Sequence, residues 1–557
     1  MACSGIVFAA NRVLEMETGK INMQERWGGG MTRRMTGSNV YSCVLTFLLF
    51  FWVSGSIAFA WNPPVGIPAP PWPADLDVPR PALPAPWTSE QSGFYYIDPS
   101  GCSDTGRTYG RPGAPRCSLP PSPSAGSIIV VNGTINGSKV VSYTGTSGSP
   151  IWIIGSNTNS MPTLAGDWDL TGSSYVILDS LTWSYNARDG VSLDGNHIVV
   201  RNCTMENPYD TSNGAGFGIG GTNIVFYKNT ISQMGDWQYT GGADIDRLGI
   251  KVYAPAADVW IVDSLFYHCH SDGVQVGDQQ NTANQINRIY IGRNTAYENY
   301  QFGYWTKNAT DVIFSQNVSY NHKTDSVSGP GGGMGGQYDP KYVWYLLNKI
   351  YNSNSGIHVA GASSGGGGPW YMIGNLIYGI QYSGACSAYD AGGLGFRNSG
   401  TAGMFFNTLY DTDIFVSLAP GGGTVTIKDN IFASKKTACS AFENAGVPFL
   451  HDYNLFSQSS YDPESESHRV LGDPKFINPV AFDFRLQASS PAIGRANPSE
   501  EPAFAIFHSR YGIDIRKDIA GEIRPQGSWD IGAFEFPQGV VDRPIRIPLP
   551  PTDVRVN

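Results

Sequence analysis

The stretches VWIVDSLF (259–266), YIGRNTAY (290–297) and IFSQNVSY (313–320) decide the fold, because each runs from apolar residues to an Asn or Asp and then into a second short strand. The same pattern recurs along most of the chain. Its ladder positions are Asp179, Asn202, Asn229, Asp263, Asn294, Asn317, Asn348, Asn375, Asn407, Asn430 and Asn454. Successive positions lie 23 to 34 residues apart, which is the length of one turn of a solenoid. Stacked Asn side chains can bond one another and the backbone of adjacent turns. The pattern therefore predicts a coil of short parallel strands.

A third strand in each turn often begins with Gly, as in LGIKVY (248–253), DGVQVG (272–277) and FGYWTK (302–307). Side chains alternate between the two faces of a strand, so every second residue should point into the coil. The residues predicted to point inward are Ile250, Val252, Val274, Val276, Ile357 and Val359. The residues predicted to form one outward column are Ser192, Lys251, Gln275, Trp305, His358 and Arg397.

Charge and cysteine content restrict the partners and the compartment. The formal net charge of -10 argues against nucleic acid and against an anionic membrane as main partners. An anionic polysaccharide stays compatible, because a local basic cleft or a bound cation can reverse the field. Cys102 could pair with Cys117 in an oxidising compartment, and Cys386 with Cys439. Six cysteines follow residue 60, and the other two, Cys203 and Cys269, are interpreted as buried thiols.

The N-terminus is typical of an export signal. Two arginines at 33–34 precede an apolar run at 44–53, and AFA at 58–60 fits a cleavage site. The alternative is a membrane anchor at 40–60, which is only marginally long enough and contains several polar residues. We expect a monomeric mature protein that is secreted or periplasmic and contacts no membrane beyond the signal.

Composition divides the chain into six segments. They are an export signal region (1–60), a Pro-rich linker (61–92), an N-terminal cap (93–126), the repetitive coil (127–455), a C-terminal cap segment (456–536) and a Pro-rich tail (537–557). Caps are expected because an open solenoid end exposes apolar core and unpaired strand edges.

The ladder and the C-terminal run DIRKDIAGEIRPQGSWDIGAFEF (514–536) resemble exported proteins of the pectate-lyase-like superfamily. The resemblance covers about residues 93–536. It implies an all-β fold, a single-stranded right-handed parallel β-helix with N- and C-terminal caps. It also implies that a polysaccharide binds along the third strand of each turn and the loops before it. The superfamily includes lyases, glycoside hydrolases, uronate epimerases and binding proteins, and fold alone does not choose among them.

The densest carboxylates beside that face suggest a calcium site. Asp244 and Asp246 precede Lys251, and Asp272 lies one turn later. Carboxylate oxygens are the ligands that Ca²⁺ prefers. The Asp-x-Asp-x4-Lys spacing is similar to the acidic pair and catalytic Lys of calcium-assisted lyases such as chondroitinase B, with Asp in place of Glu. The Arg that this resemblance predicts in the following turn is absent.

Lys251, Arg247 and His270 are the candidate catalytic residues, with Lys251 as the base. Asp before Gly is often only a turn residue, an outward Lys is usually solvated, and a histidine pair such as His268 and His270 usually belongs to an ordinary loop. The candidate substrate-binding residues are Gln275, Tyr300, Trp305, Lys307, His358 and Arg397.

The leading functional hypothesis is a polysaccharide lyase that cleaves a uronic-acid polymer by β-elimination with calcium assistance. A C5-epimerase would remove the same proton. A glycoside hydrolase would need two carboxyl groups across the scissile bond. A non-catalytic carbohydrate-binding or surface protein is also compatible with the Pro-rich ends and the many aromatic residues.

Overall fold

The chain divides into two compact units, residues 1–60 and residues 61–557. The structure, a computed structural model, describes residues 15–17, 20–22, 61–184, 190–207, 212–238, 245–280, 282, 285–322, 331–361, 367–381, 386, 392–419, 423–436, 439–499, 501–525 and 527–537. In the first unit, Glu15–Glu17 and Lys20–Asn22 form an antiparallel pair. The predicted export signal, residues 33–60, lies outside the described part of the chain.

Three long parallel sheets build the second unit, and the chain visits them in the same order in every turn. Sheet 1 contains Phe94–Ile97, Ile128–Val131, Ile151–Gly155, Ser174–Asp179, Asn196–Arg201, Thr222–Tyr227, Ala257–Val262, Asn287–Gly292, Thr310–Ser315, Lys341–Leu346, Trp370–Ile373, Ala402–Phe405, Val425–Lys428 and Phe449–Asp452. Sheet 2 contains Thr134–Asn136, Thr163–Ala165, Thr182–Ser184, Thr204–Asn207, Thr230–Met234, Leu265–Tyr267, Thr295–Tyr297, Val318–Tyr320, Lys349–Tyr351, Leu376–Tyr378, Thr408–Thr412, Ile431–Lys435, Leu455–Phe456 and Val470–Leu471. Sheet 3 contains Lys139–Val140, Trp168–Asp169, Val191–Ser192, Gly214–Ile219, Arg247–Val252, Val274–Val276, Phe302–Thr306, Gly332–Gly336, Ser355–Val359, Gly392–Phe396, Val416–Leu418 and Phe442–Asn444. The prediction of a parallel β-helix is confirmed.

The coil interior is a continuous apolar core. Every residue predicted to point inward from sheet 3 is buried in it, as are large aromatic residues such as Trp168 and Phe266. Period-two alternation therefore assigned the two faces of sheet 3 correctly.

An asparagine ladder fixes the corner between sheets 1 and 2. From Asn317 to Asn454, each ladder Asn accepts hydrogen bonds from the backbone N–H and the side-chain amide of the Asn one turn before it. For Asn317 and Asn348 these two distances are 2.9 and 3.1 Å. The continuous ladder consists of Asn294, Asn317, Asn348, Asn375, Asn407, Asn430 and Asn454. It ends at Glu466, whose carboxylate accepts both donors of Asn454 at 2.7 and 2.9 Å. A buried row of amides is thus fully paired at its C-terminal end.

Three predicted ladder positions are wrong. Asp179 pairs instead with Arg201, Asn202 is exposed, and Asp263 pairs with Arg293. The equivalent corner positions are occupied by Leu181, Cys203 and Ser264.

The reason lies in the backbone of the corner. The residue just before each ladder position adopts a positive φ, 54° at Asn202 and 52° at Asp263. Asn and Asp tolerate this left-handed conformation better than most residues. An Asn or Asp after an apolar run therefore marks either of two adjacent corner positions, and the pattern alone does not separate them.

The Pro-rich segment 61–92 is extended but is not a free linker. It packs along the outer face of sheet 1, where Val65 donates its N–H to Gln316 at 2.9 Å and Trp61 donates its indole N–H to Asp263 at 2.7 Å. The contact is close at Gly292, where an added Cβ would lie 2.5 Å from Ile67. We call residues 61–92 the N-terminal arm.

Residues beyond the coil cover the same sheet and its neighbour. The helix Pro502–Tyr511, which we call α1, packs Phe504 and Phe507 onto sheet 1 beside the arm. The antiparallel strands Phe476–Asn478 and Asp483–Leu486 cover part of sheet 2. The remaining irregular turns are the 3-10 helices Ser459–Tyr461 and Pro479–Ala481. Within the described residues, these two apolar clusters include no outward residue of sheet 3.

The cysteine interpretation is confirmed. Disulfides join Cys102 to Cys117 and Cys386 to Cys439. Cys203 and Cys269 are buried thiols, and burial raises the pKa of Cys203 to about 12. These two thiols therefore stay protonated and fill space in the core.

Stability should fall as the pH rises from 6 to 8. Burial raises the pKa of Asp429, Glu466 and Glu535 to about 7, whereas carboxyls in an unfolded chain titrate at about 4. The folded state therefore binds these protons more tightly than the unfolded state does. The stability that this difference contributes is lost as the pH rises through 7. Burial lowers the pKa of His322 to about 3, so the stability contributed by neutral His322 is lost instead as the pH falls from about 6.5 toward 3.

Calorimetry at pH 6 and pH 8 measures this change. We expect Tm to be lower at pH 8 by a few degrees, because each group contributes only a small part of the unfolding free energy. Asp429→Asn keeps an acceptor for the Asn497 N–H, which now lies 2.6 Å from the carboxylate, and removes one titrating group. The pH dependence should shrink in that variant, and a Tm that rises toward pH 8 would contradict the assignment.

Candidate functional site

The outward column of sheet 3 is present as predicted over most of its length. In the strand register, Lys251 lies beside Gln275, which lies beside Trp305. Gly335 and His358 follow in the next two turns. On the N-terminal side of Lys251, Gly218 lies in the preceding turn and Ser192 in the turn before that.

Arg397 does not belong to this column, where Gly395 takes its place. Arg397 stands two residues further on and is exposed. Lys307 occupies the same second row and is partly exposed. The sequence pattern places these cations on the correct face but in a different row from Lys251.

Accessibility divides the column into two parts. The Lys251 side chain keeps 33% of its surface exposed, whereas Gln275, Trp305 and His358 keep 2%, 6% and 4%. Ser192 and Gly218 on the other side of Lys251 are also partly exposed. The accessible part of this face therefore runs from Lys251 toward the N-terminal turns.

Trp305 points outward but is not an open platform. Its ring packs against Phe302 at 4.2 Å between centroids and lies nearly parallel to His358 at 6.3 Å. An added Cβ at Gly335 would lie 2.5 Å from the Trp305 ring. The indole thus covers a glycine of the next turn. That face of Trp305 is occupied, so the predicted stacking of a sugar on it does not fit this structure.

Several other predicted site residues are buried in the coil wall. Arg247 is completely buried, so it does not contact a polymer on the outer face. His270 is also buried, with Tyr300 packed against its ring at 5.4 Å. Gln275 donates to the Gly277 carbonyl at 3.3 Å. The alternation of side chains along a short strand does not reveal this burial, because it does not predict the loops that cover the wall.

Two of the three predicted calcium ligands, Asp246 and Asp272, lie in the described residues. Asp272 is buried and accepts the Phe302 N–H at 3.1 Å, so its carboxylate secures the next turn. Asp246 is partly exposed and accepts the Ser271 hydroxyl at 3.0 Å. Asn213, which the sequence analysis missed, accepts the Asp246 N–H at 2.9 Å. Asp244 lies outside the described residues.

The described part of the chain contains no group of three or more His, Cys, Asp or Glu side chains placed to hold a metal ion. The calcium prediction thus depends on Asp246 and on Asp244, and the described residues do not supply a complete ligand set. We assign no step of the reaction below to a metal.

Asp278 is a charged neighbour of Lys251. The Lys251 ammonium lies 3.8 Å from the Asp278 carboxylate, and the two side chains are each about one-third exposed. A long, solvated ion pair of this kind contributes about 0–1 kcal/mol. A substrate can therefore displace Asp278 from Lys251 at little cost.

A tyrosine that the sequence analysis missed lies beside Lys251. The Tyr253 hydroxyl donates a short hydrogen bond to Asp194. Burial raises the pKa of Tyr253, and the hydrogen bond and charge of Asp194 raise it further, while a hydrogen bond from Ser192 acts in the opposite direction. The charge of Asp169 also raises it. The available signal was parity, because Tyr253 follows Lys251 by two residues and Asp194 follows Ser192 by two.

A second aromatic and ionisable group lies where three successive sheet 2 strands end. The His268 ring stacks on Trp237 at 4.0 Å, and its Nε2 lies 2.9 Å from the Glu298 carboxylate. His268 therefore belongs to a local packed cluster, which agrees with the interpretation of an ordinary loop histidine.

Residues 169–365 match the family model of the right-handed β-helix region. The chain folds as a parallel β-helix, and this match assigns the right-handed coil to those residues. No curated protein sequence matches the chain. Among the described residues, no helix of this β-helix protein is long and apolar enough to span a membrane.

Similar solved structures include the alginate lyase AlyGC of family PL6, with 12% identity, a TM-score of 0.41, and coverage of 63% of this chain and 51% of that chain. The β-helix protein thus spans about half the length of that lyase. Pectate lyase Pel9A is 13% identical with a TM-score of 0.36, over 80% of this chain and 96% of that chain. The GH136 lacto-N-biosidase from Eubacterium ramulus is 12% identical with a TM-score of 0.40, over 65% and 67%. Lyases and glycoside hydrolases are thus both among the similar structures.

Proposed function

We propose that this β-helix protein is a polysaccharide lyase that cleaves a uronic-acid polymer by β-elimination, with Lys251 as the base. The observation that carries the proposal is the position of Lys251: among the residues predicted for the column, it combines an ionisable nitrogen with an accessible side chain. Its neighbours on the exposed side, Gly218 and Ser192, leave the strand surface open to a chain-like ligand.

The chemistry requires a base and stabilisation of developing negative charge. The Lys251 nitrogen takes the C5 proton of the uronate, which is acidified by the adjacent carboxyl group. The ammonium formed in this step then lies beside the enolate-like charge. Departure of the oxygen at C4 leaves a conjugated double bond between C4 and C5.

Lys307 and Arg397 are proposed to bind carboxylates of neighbouring sugar units. Both stand in the second outward row, and three strand spacings separate them, about 14 Å. Two cations at that separation suit a repeating anion better than a single small ligand.

A glycoside hydrolase is the second candidate. Asp169 and Asp194 both lie close enough to the Tyr253 hydroxyl to raise its pKa, so two carboxyl groups share one accessible patch. Hydrolysis by acid and base or nucleophile needs such a pair. Absorbance at about 235 nm separates the two reactions, because only elimination makes the conjugated double bond, whereas both reactions make reducing ends.

We also propose that the protein acts outside the cytoplasm. The two disulfides support this, because disulfides persist in oxidising compartments. Exported material should begin near Trp61, after the AFA sequence at 58–60. N-terminal sequencing measures this, and exported protein that retains Met1 would contradict it.

A further inference from the structure

Lys251 and Tyr253 stand on the same outward side of one strand segment. Residues i and i+2 of a strand point to the same face and are about 7 Å apart at the backbone. Gly218 lies directly beside Lys251 in the register. An added Cβ at Gly218 would lie 3.0 Å from the Tyr253 ring and 3.8 Å from its hydroxyl oxygen. The phenol ring therefore lies over the position beside Lys251 that has no side chain.

Asp194 holds the phenol in place. Its Oδ1 accepts the Tyr253 hydroxyl and also the Gly220 N–H, the latter at 3.0 Å. An added Cβ at Gly220 would lie 2.6 Å from both the Asp194 carboxylate and the Tyr253 ring. Two glycines thus make room for the ring, and the carboxylate fixes its orientation before a ligand binds.

We infer that Tyr253 donates the proton to the departing oxygen of the sugar, and that the elimination is a syn elimination. The inference rests on the lyase function proposed above. In the step, the C5–H bond breaks and its proton goes to the Lys251 nitrogen, while its electron pair forms the C4–C5 double bond. The C4–O4 bond breaks with its electrons on O4, and O4 takes the Tyr253 proton. The Lys251 ammonium and the Tyr253 phenolate left behind have opposite charges, and solvent returns the proton from one to the other.

The environment of Tyr253 suits a donor. Burial and Asp194 raise its pKa, so the hydroxyl holds its proton at neutral pH until the leaving group needs it. Ser192 donates to the phenol oxygen and can stabilise the phenolate that forms.

Because the base and the acid lie on the same side of the sugar, they select its configuration. A base and an acid on one face reach a C5 proton and an O4 that lie on the same side of the C4–C5 bond. In the stable chair this is the arrangement of D-glucuronate and D-mannuronate, whose O4 is equatorial. In D-galacturonate and L-guluronate both the C5 proton and O4 are axial and point in opposite directions. The substrate class is therefore a polymer of uronates with an equatorial O4.

The first test uses the whole protein with four polymers. Polyglucuronate and polymannuronate should give absorbance at about 235 nm, and polygalacturonate and polyguluronate should not. Product from the axial pair alone overturns the syn assignment. No double bond from any of the four overturns the lyase function itself, and the Tyr253 role with it.

The second test isolates the donor. Tyr253→Phe should lower kcat on the active polymer about 10²- to 10⁴-fold with little change in KM, and Tyr267→Phe on sheet 2 is the matched control. A 4-deoxy-4-fluoro uronide releases fluoride, which needs no proton, so Tyr253→Phe should turn it over at close to the wild-type rate. Lys251→Ala should fail on both substrates. Equal losses on both substrates in Tyr253→Phe would make Tyr253 a structural residue, and full activity on the polymer would remove it from the reaction while leaving the lyase function standing.

Discussion

Lys251→Ala should abolish unsaturated product from a uronic-acid polymer. Removing a general base typically lowers the rate about 10²- to 10⁴-fold, because no positioned group then takes the C5 proton. The Lys251 side chain is partly exposed and contacts Asp278 only through a long ion pair, so the fold should be retained. Product formation is followed by absorbance at about 235 nm, and folding by circular dichroism of the same sample.

Lys436→Ala is the matched control. Lys436 has a similar exposed fraction, 30%, and also forms an ion pair, 3.4 Å from Asp411, but it lies off sheet 3. Its loss should leave the rate unchanged. A Lys251→Ala enzyme with unimpaired turnover would rule out this base, and reducing ends without a double bond would favour the hydrolase.

The largest effect on stability should come from the middle of the ladder. Asn348 accepts the N–H and side-chain amide of Asn317 at 2.9 and 3.1 Å, and donates to the Phe314 carbonyl at 3.0 Å. Asn348→Ala leaves these buried groups without partners. Each such group costs about 1–3 kcal/mol, so the free energy of unfolding should fall by about 3–5 kcal/mol. Denaturant unfolding measures this loss.

The variant Asn202→Gly tests whether stability depends on the ladder position itself or on the residue before it. Asn202 precedes the corner position, has a φ of 54° and is exposed, and Gly adopts that backbone conformation without strain. The free energy of unfolding should change by less than about 0.5 kcal/mol. Similar losses in Asn202→Gly and Asn348→Ala would contradict the distinction between the two corner positions.

The repeat pattern determined the architecture and the inward face of each sheet 3 strand. It did so because strand alternation and corner spacing are local properties that recur in every turn. It misplaced Asp179, Asn202 and Asp263 by one or two residues, because two adjacent corner positions accept the same residue types. Cysteine spacing also suggested the two disulfides, which the structure confirms.

The tertiary structure alone decided which part of the outward face is accessible. Arg247, His270, Asp272 and Trp305 look as accessible as Lys251 in the sequence, yet loops and neighbouring turns bury them. Burial depends on residues that are distant in the chain, and strand parity carries no information about it.

The same holds for the pairing of Tyr253 with Asp194, which are 59 residues apart and meet because two turns of the coil stack in register. The role of Gly218 and Gly220 is visible only in the stacked turns, since each leaves space that the Tyr253 ring occupies. The sequence by itself therefore determined the coil and the face on which to look. The contact between turns decided which side chains on that face can reach a ligand.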